Sequence, residues 1–214
     1  MRSAGTRLLL VRHGQTNWNL EGRYQGGIDV PLNLQGQTRS EALAEELSVE
    51  RIDVVYSSPL SRAVDTARPI ARKHGLDVRI EPDLREIELG EWEGMPATVI
   101  AERYPELFRQ WVEDPRPVRP PGGESILELH DRVIAAVDRI IRLHPGKRIC
   151  LVTHKVTLVI IRTHFLRLDL PEEMRRPFPN GTWEWLDVLE MPRGNPCCSA
   201  AAVTSPTETS DRST

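Results

Sequence analysis

The sequence predicts an α/β fold, a three-layer α/β/α sandwich with a mostly parallel central sheet and a helical lid insertion. Three observations carry that reading. Short apolar runs of the kind buried on both faces of a sheet alternate with segments of helical period. Capping residues and glycine stops separate them. The charged clusters follow the strand candidates directly, where an open α/β sheet places its ligands.

Leu8 to Val11 is the first strand candidate. Pro31 to Leu47 reads as a turn and then a helix, with Ala42, Leu43 and Leu47 turned inward. Ile52 to Tyr56 is the second strand, ended by Ser57-Ser58-Pro59. Leu60 to His74 is helical, and Gly75 is a good C-terminal stop. Asp77 to Ile80 is a short third strand. Ser125 and Glu128 have the spacing of a capping box. Ile126, Leu129, Val133, Val137 and Ile140 then recur at three- and four-residue steps. Arg148 to Thr153 is the fourth strand, Lys155 to Leu168 the helix after it, and Trp183 to Leu189 the last strand. Two segments fall outside this alternation. Leu84 to Gly123 has helical pieces broken by Pro96, Pro105, Pro115, Pro117, Pro120 and Pro121, and contains the lid, about 95–123. The first 190 residues form the domain, and 191–214, almost devoid of large apolar side chains, reads as a disordered tail.

Composition excludes several classes. The chain of 214 residues has 28 basic and 31 acidic side chains, a net charge of −3, which lacks the basic footprint of a nucleic-acid binder. No apolar run approaches the ~18–20 residues of a membrane span, and the start has no signal-peptide pattern. Cys150, Cys197 and Cys198 are too sparse for a disulfide framework, so a reducing cytoplasm is the expected location.

Three charged clusters carry the chemistry. Arg12-His13-Gly14 ends the first strand, Arg62 lies just beyond the second, and His154 ends the fourth. In a parallel sheet all three meet at one edge. Two imidazoles and two guanidiniums facing one pocket fit a multiply charged anion, and arginine forks match phosphate oxygens. A histidine in such a pocket can attack phosphorus and form a covalent intermediate, while the cations stabilise the equatorial oxygens. No metal or other cofactor is then required. The leaving alkoxide needs a proton, and the carboxylates of Arg85-Glu86-Ile87-Glu88 are the candidates.

At these residues the sequence resembles the histidine phosphatase superfamily, also called phosphoglycerate mutase-like. LVRHGQTNWN (Leu10 to Asn19), SSPLSRAVDTA (Ser57 to Ala67), LREIELGEWEG (Leu84 to Gly94), GGES (Gly122 to Ser125) and VTH (Val152 to His154) match its blocks in order. The resemblance implies that His13 becomes phosphohistidine and that Arg12, Arg62 and His154 form the phosphate pocket. It implies Glu86 as general acid and then base, with Asn19, Gln25 and Gly26 as further substrate contacts. It implies a phosphomonoesterase acting on a small phosphorylated metabolite, with phosphoglycerate mutase as the alternative and a non-catalytic phosphate-ligand-binding protein as a third reading. A homodimer, common in the family, is the expected assembly. The run after His154 departs from the glycine pair of many members; here Lys155 either brings a cation to the substrate mouth or is solvated. Asp65 stands where glutamine is frequent.

Other residues have simpler readings. His74, His130, His144 and His164 read as surface or packed histidines. Trp18, Tyr24 and Trp92 either line the mouth or pack. Arg85 is either a pocket residue or an ion-pair partner. Glu124 and Ser125 read as a helix cap, and Asn180-Gly181-Thr182 as a turn.

Overall fold

The computed structural model describes residues 5–188 and 203–204. The elements run β1 (Arg7–Arg12), α1 (Asn17–Leu20), α2 (Leu34–Leu47), β2 (Val54–Ser57), α3 (Ser61–Lys73), β3 (Val78–Ile80), α4 (Ala97–Arg103), α5 (Pro105–Glu113), α6 (Ile126–Leu143), β4 (Arg148–Thr153), α7 (Lys155–Leu166), α8 (Leu170–Arg175), β5 (Trp183–Asp187) and β6 (Val203–Thr204). The order across the sheet is β3-β2-β4-β1-β5-β6. β3, β2, β4 and β1 are parallel, and β5 runs antiparallel to β1. β6 is a two-residue strand beside β5. The rest of the expected tail, including Cys197 and Cys198, lies outside the described residues. No helix among the described residues is long and apolar enough to cross a membrane.

The strands separate two apolar layers. Leu8 and Leu10 face one side with Val54, Tyr56, Ile149 and Leu151, and α6 and α7 cover them. Leu9 and Val11 face the other with Val55, Cys150 and Val152, beneath α2 and α3. Alternation along one buried strand thus supplies both layers. Ala63, Ala67 and Ala71 present small side chains on α3 and let it approach the sheet closely. All five apolar positions predicted on α6 are buried, and its capping box is present: Ser125 Oγ accepts from Glu128 N–H while the Glu128 carboxylate accepts from Ser125 N–H.

Some boundaries shift. α2 begins at Leu34, because Asn33 caps it by accepting from Gly36 N–H. α7 stops at Leu166, two residues early, where Arg167 takes a left-handed φ of 56°. That conformation turns the chain out of the helix. α1 and α8 were not predicted. Each is short and held by its own cap, Thr16 and Asp169.

The insertion holds the paired helices α4 and α5. Pro105 begins α5, a position where the missing N–H is no loss. Trp92, fully buried, meets Tyr24, Tyr104, Phe108 and Trp111 at ring-centroid distances of 5.7–6.4 Å. This cluster roots the insertion in the larger apolar layer. Trp92→Ala is therefore expected to destabilise the fold by about 3–5 kcal/mol, the usual range for removing a buried tryptophan. Urea unfolding checks it; a loss below about 1 kcal/mol would detach the insertion from the core.

Candidate active site

Strand register assembles the site. Arg12 is paired with Thr153 and Ser57 with Val152. His13 and His154, each one step beyond the Arg12–Thr153 pair, therefore leave the sheet side by side. Their ring centroids are 5.1 Å apart, and both residues are buried. Ser58, one step beyond Ser57, places its hydroxyl 2.7 Å from His154 Nε2.

The hydrogen bonds assign both tautomers. His13 Nδ1 lies 2.7 Å from the Gly14 carbonyl. A carbonyl only accepts, so Nδ1 carries the proton and Nε2 keeps its lone pair. His154 is the opposite case. Its Nδ1 accepts from Arg62 Nε–H at 3.3 Å, so Nε2–H donates to Ser58 Oγ. His154 thus cannot take a proton from Ser58, and the Ser58–His154 pair is not an activated serine. Burial, with Arg62 and Arg12 adding to it, holds both imidazoles well below the ordinary histidine value. Both rings are neutral at neutral pH.

Arg62 sits at the first turn of α3 and is 1% exposed. Its guanidinium donates to the carbonyls of Ile28 at 2.6 Å and Gly26 at 2.8 Å. Burial lowers its pKa to about 10, which still leaves it charged. Arg12 donates to the Phe178 carbonyl, and its Nε is buried without a hydrogen-bond partner among the described residues. Neither guanidinium has a carboxylate within ion-pair distance among those residues.

Glu86 is docked on the amino end of α7. Its Oε1 accepts from Ile87 N–H, Thr157 N–H and the Thr157 hydroxyl at 3.1–3.2 Å, and its Oε2 from Val156 N–H at 3.1 Å. The backbone under it is clamped by Arg132, which donates to the carbonyls of Asp83, Arg85 and Glu86 at 2.7–2.9 Å. Arg132 also forms a two-pronged pair with Glu124. Glu124 is thus a partner of this clamp, and Ser125 with Glu128 caps the helix. The neighbouring acids are occupied elsewhere. Glu88 pairs with Arg85, Glu91 accepts from Tyr104, and Glu93 accepts from Gly27 N–H and Leu89 N–H.

The other expected positions divide. Gly26 carries the carbonyl that holds Arg62, and its φ of 52° suits glycine. A side chain there would meet Glu93 Oε1 at 2.1 Å. Gln25 Oε1 is buried without a partner among the described residues. Asn19 Oδ1 accepts from the Thr16 N–H and hydroxyl, completing the cap of α1. Asn180-Gly181-Thr182 is more than a turn. Arg12 N–H donates to Thr182, Gly181 N–H to Arg12 and His13, and Asn180 Nδ2 to His13. It braces the end of β1 from 167 residues away in sequence. Of the remaining histidines, His144 meets the Tyr56 hydroxyl, and His130 meets His164. No group of three His, Cys, Asp or Glu among the described residues could hold a metal ion.

The model of the histidine phosphatase superfamily (branch 1) matches residues 8–192. The chain belongs to that superfamily. This histidine phosphatase-type chain is 40% identical over 164 residues to phosphoserine phosphatase 1 of Hydrogenobacter thermophilus, covering 77% of this chain and 78% of that one. It is 39% identical over 171 residues to the metal-independent phosphoserine phosphatase of Arabidopsis thaliana, covering 78% and 71%. The mycobacterial glucosyl-3-phosphoglycerate phosphatase solved with VO3 superposes with a TM-score of 0.78 at 31% identity, covering 85% of this chain and 90% of that one. The chain spans 45% to 65% of the length of several other relatives. Family and relatives together support phosphatase activity.

The depressed histidine pKa values predict a pH dependence of stability. Below about pH 6.5 the unfolded chain binds protons on His13 and His154 that the folded chain refuses, so stability rises with pH and levels off near that value. It falls as pH drops through the window below 6.5, by up to about 1.4 kcal/mol per pH unit for each histidine. His154→Gln should flatten the curve of denaturation midpoint against pH. An unchanged slope would mean that the buried ring charges in the fold.

Proposed function

We propose that the chain is a phosphomonoesterase that hydrolyses a small phosphorylated metabolite through a phosphohistidine on His13. The observation that carries this reading is a neutral imidazole with a free Nε2 beside two guanidiniums that form no ion pair with a carboxylate among the described residues. His13 Nε2 attacks phosphorus and the P–O bond to the leaving group breaks. Arg12 and Arg62 neutralise the equatorial oxygens. Glu86 gives a proton to the departing alkoxide. Water then attacks the phosphohistidine, Glu86 takes a proton from it, the P–N bond breaks and orthophosphate leaves. His154 orients Arg62 and walls the pocket. The names of the two phosphoserine phosphatases support a small-metabolite substrate, and one of them supports independence from metal.

Enzyme mixed briefly with a radiolabelled phosphate monoester in EDTA and quenched in alkali should carry label on His13. Phosphohistidine survives alkali and is lost in acid, whereas phosphoserine behaves in the opposite sense. His13→Ala should abolish label and turnover. Acid-stable label, label retained in His13→Ala, or activity dependent on added magnesium would falsify the mechanism.

Glu86→Gln keeps the side chain's size and removes the transferable proton. Losing a general acid costs roughly 10²–10⁴ in rate. That loss is expected in single-turnover phosphorylation by an alkyl phosphate, and a much smaller one with p-nitrophenyl phosphate, whose leaving group departs unassisted. Equal losses with both substrates would move the acid role to another residue.

A further inference from the structure

Helix α3 carries Arg62 in its first turn, yet its own N-cap residue, Leu60, makes no side-chain cap, and the first turn holds no acidic residue. The amino end of a helix leaves its first N–H groups without backbone partners, and a carboxylate suits them. Asp29 supplies one from the 24–30 loop. Its Oδ1 accepts from the Ser61 N–H and from the Ser61 hydroxyl, both at 2.7 Å. The next residue of the helix, Arg62, donates to the carbonyl of Ile28, just before Asp29, and to that of Gly26. Two adjacent helix residues thus grip two adjacent loop residues.

That grip governs where the guanidinium points. Arg62 donates to His154, Ile28 and Gly26, which leaves one N–H on each terminal nitrogen to meet an anion. The direction of those two N–H groups follows from where the two carbonyls sit. The far side of the loop is held independently of α3. Glu93 accepts from Gly27 N–H, Tyr24 N–H donates to Met95 and Gly94 N–H donates to Tyr24. Asp29 fixes the side that faces Arg62. It acts on Arg62 without contact as well. Burial disfavours the charged guanidinium and Arg12 adds to that, while the carboxylates of Glu86, Asp29 and Glu93 oppose it from beyond ion-pair distance.

We propose that Asp29 is a positioning residue for Arg62: by fastening the 24–30 loop to Ser61, it sets the two carbonyls that aim the guanidinium at the phosphate. This rests on the role given to Arg62 in the hydrolytic reading above.

Orthovanadate inhibition of p-nitrophenyl phosphate turnover reads the phosphate pocket, and the thermal midpoint reads the helix cap. Asp29→Ala should weaken vanadate inhibition about ten-fold and lower kcat/KM by a similar factor, the scale of one hydrogen bond to a charged group. Its midpoint should fall by about 2–4 °C, the scale of one lost N-cap in a chain of this size. Adding Leu60→Ser to Asp29→Ala gives α3 a cap of its own. That double variant should regain the midpoint and keep the weak inhibition. Asp29→Asn, whose side-chain oxygen accepts the same two bonds, should keep most of the inhibition. If Asp29→Ala does not fold, the double variant carries the test. Full vanadate inhibition in Asp29→Ala overturns the proposal. Recovery of inhibition in the double variant does so too, because Asp29 would then be a helix cap alone. A loss in Asp29→Asn equal to that in Asp29→Ala also overturns it, by assigning the effect to charge. These outcomes leave the hydrolytic reading intact. An unaltered protein that releases no phosphate from p-nitrophenyl phosphate overturns that reading, and this inference with it.

Discussion

A guanidinium buried without a carboxylate at ion-pair distance is expensive, and among the described residues Arg62 is one. Transfer of an ion into a protein interior costs several kcal/mol even after relaxation, so the surrounding chain must supply acceptors. Here they are the carbonyls of Gly26 and Ile28 and the Nδ1 of His154. Much of the architecture around the pocket serves that requirement. The 24–30 loop bends so that two carbonyls point inward, and Gly26 takes a left-handed φ to allow it. Glu93 then accepts from Gly27 N–H and holds the bend. Because Arg62 consumes the Nδ1 of His154, it also settles that ring's tautomer and directs Nε2–H at Ser58. A cation without a contact ion pair among the described residues, yet held rigidly by neutral acceptors, is suited to receive an anion from outside.

Glu86 depends on a similar device. Arg132 gathers the carbonyls of Asp83, Arg85 and Glu86 together with Glu124, and so shapes the loop that presents Glu86 to the amides of α7. Another arginine, the buried Arg162, ties α7 to α8 and β5 through Glu173 and Glu184. Both arginines hold backbone or carboxylates, while Arg12 and Arg62 form no ion pair with a carboxylate among the described residues. The chain's preference for arginine over lysine therefore includes two opposite uses, structural clamps and anion receptors.

Strands β1 to β5, α3, α6 and the pocket residues Arg12, His13, Arg62, Glu86 and His154 were legible because each has a local signature, whereas β6 falls in the stretch read as a tail. Leu8 to Val11 is an apolar run, Ser125 and Glu128 are a spaced pair, and the pocket residues sit in short blocks after strands. What was not legible depends on distant partners. Arg132 looks like any polar position of α6 until Asp83 to Glu86 fold beneath it. Ser58 reads as a strand end until β2 and β4 pair. Asn180-Gly181-Thr182 reads as a turn, and only the antiparallel pairing of β5 with β1 brings it against His13. The lid helices α4 and α5 were obscured because prolines that break helices inside also begin them, as Pro105 does.

The position of β1 bears on how the molecule comes to be made. Within this sheet it is the first strand to be made, yet its neighbours are β4 and β5, the fourth and fifth. On the ribosome, Leu8 to Val11 and the histidine they carry emerge long before either partner exists. Non-local pairing of this kind is slow and leaves apolar edges exposed. The acceptor for Arg12 at Phe178 and the brace at Asn180 come later still. A nascent chain that has already built β2, α3, β3 and the whole lid therefore still lacks a formed pocket. The site is completed only after Phe178 and Asn180 have been made, so shorter products carry its residues without its geometry.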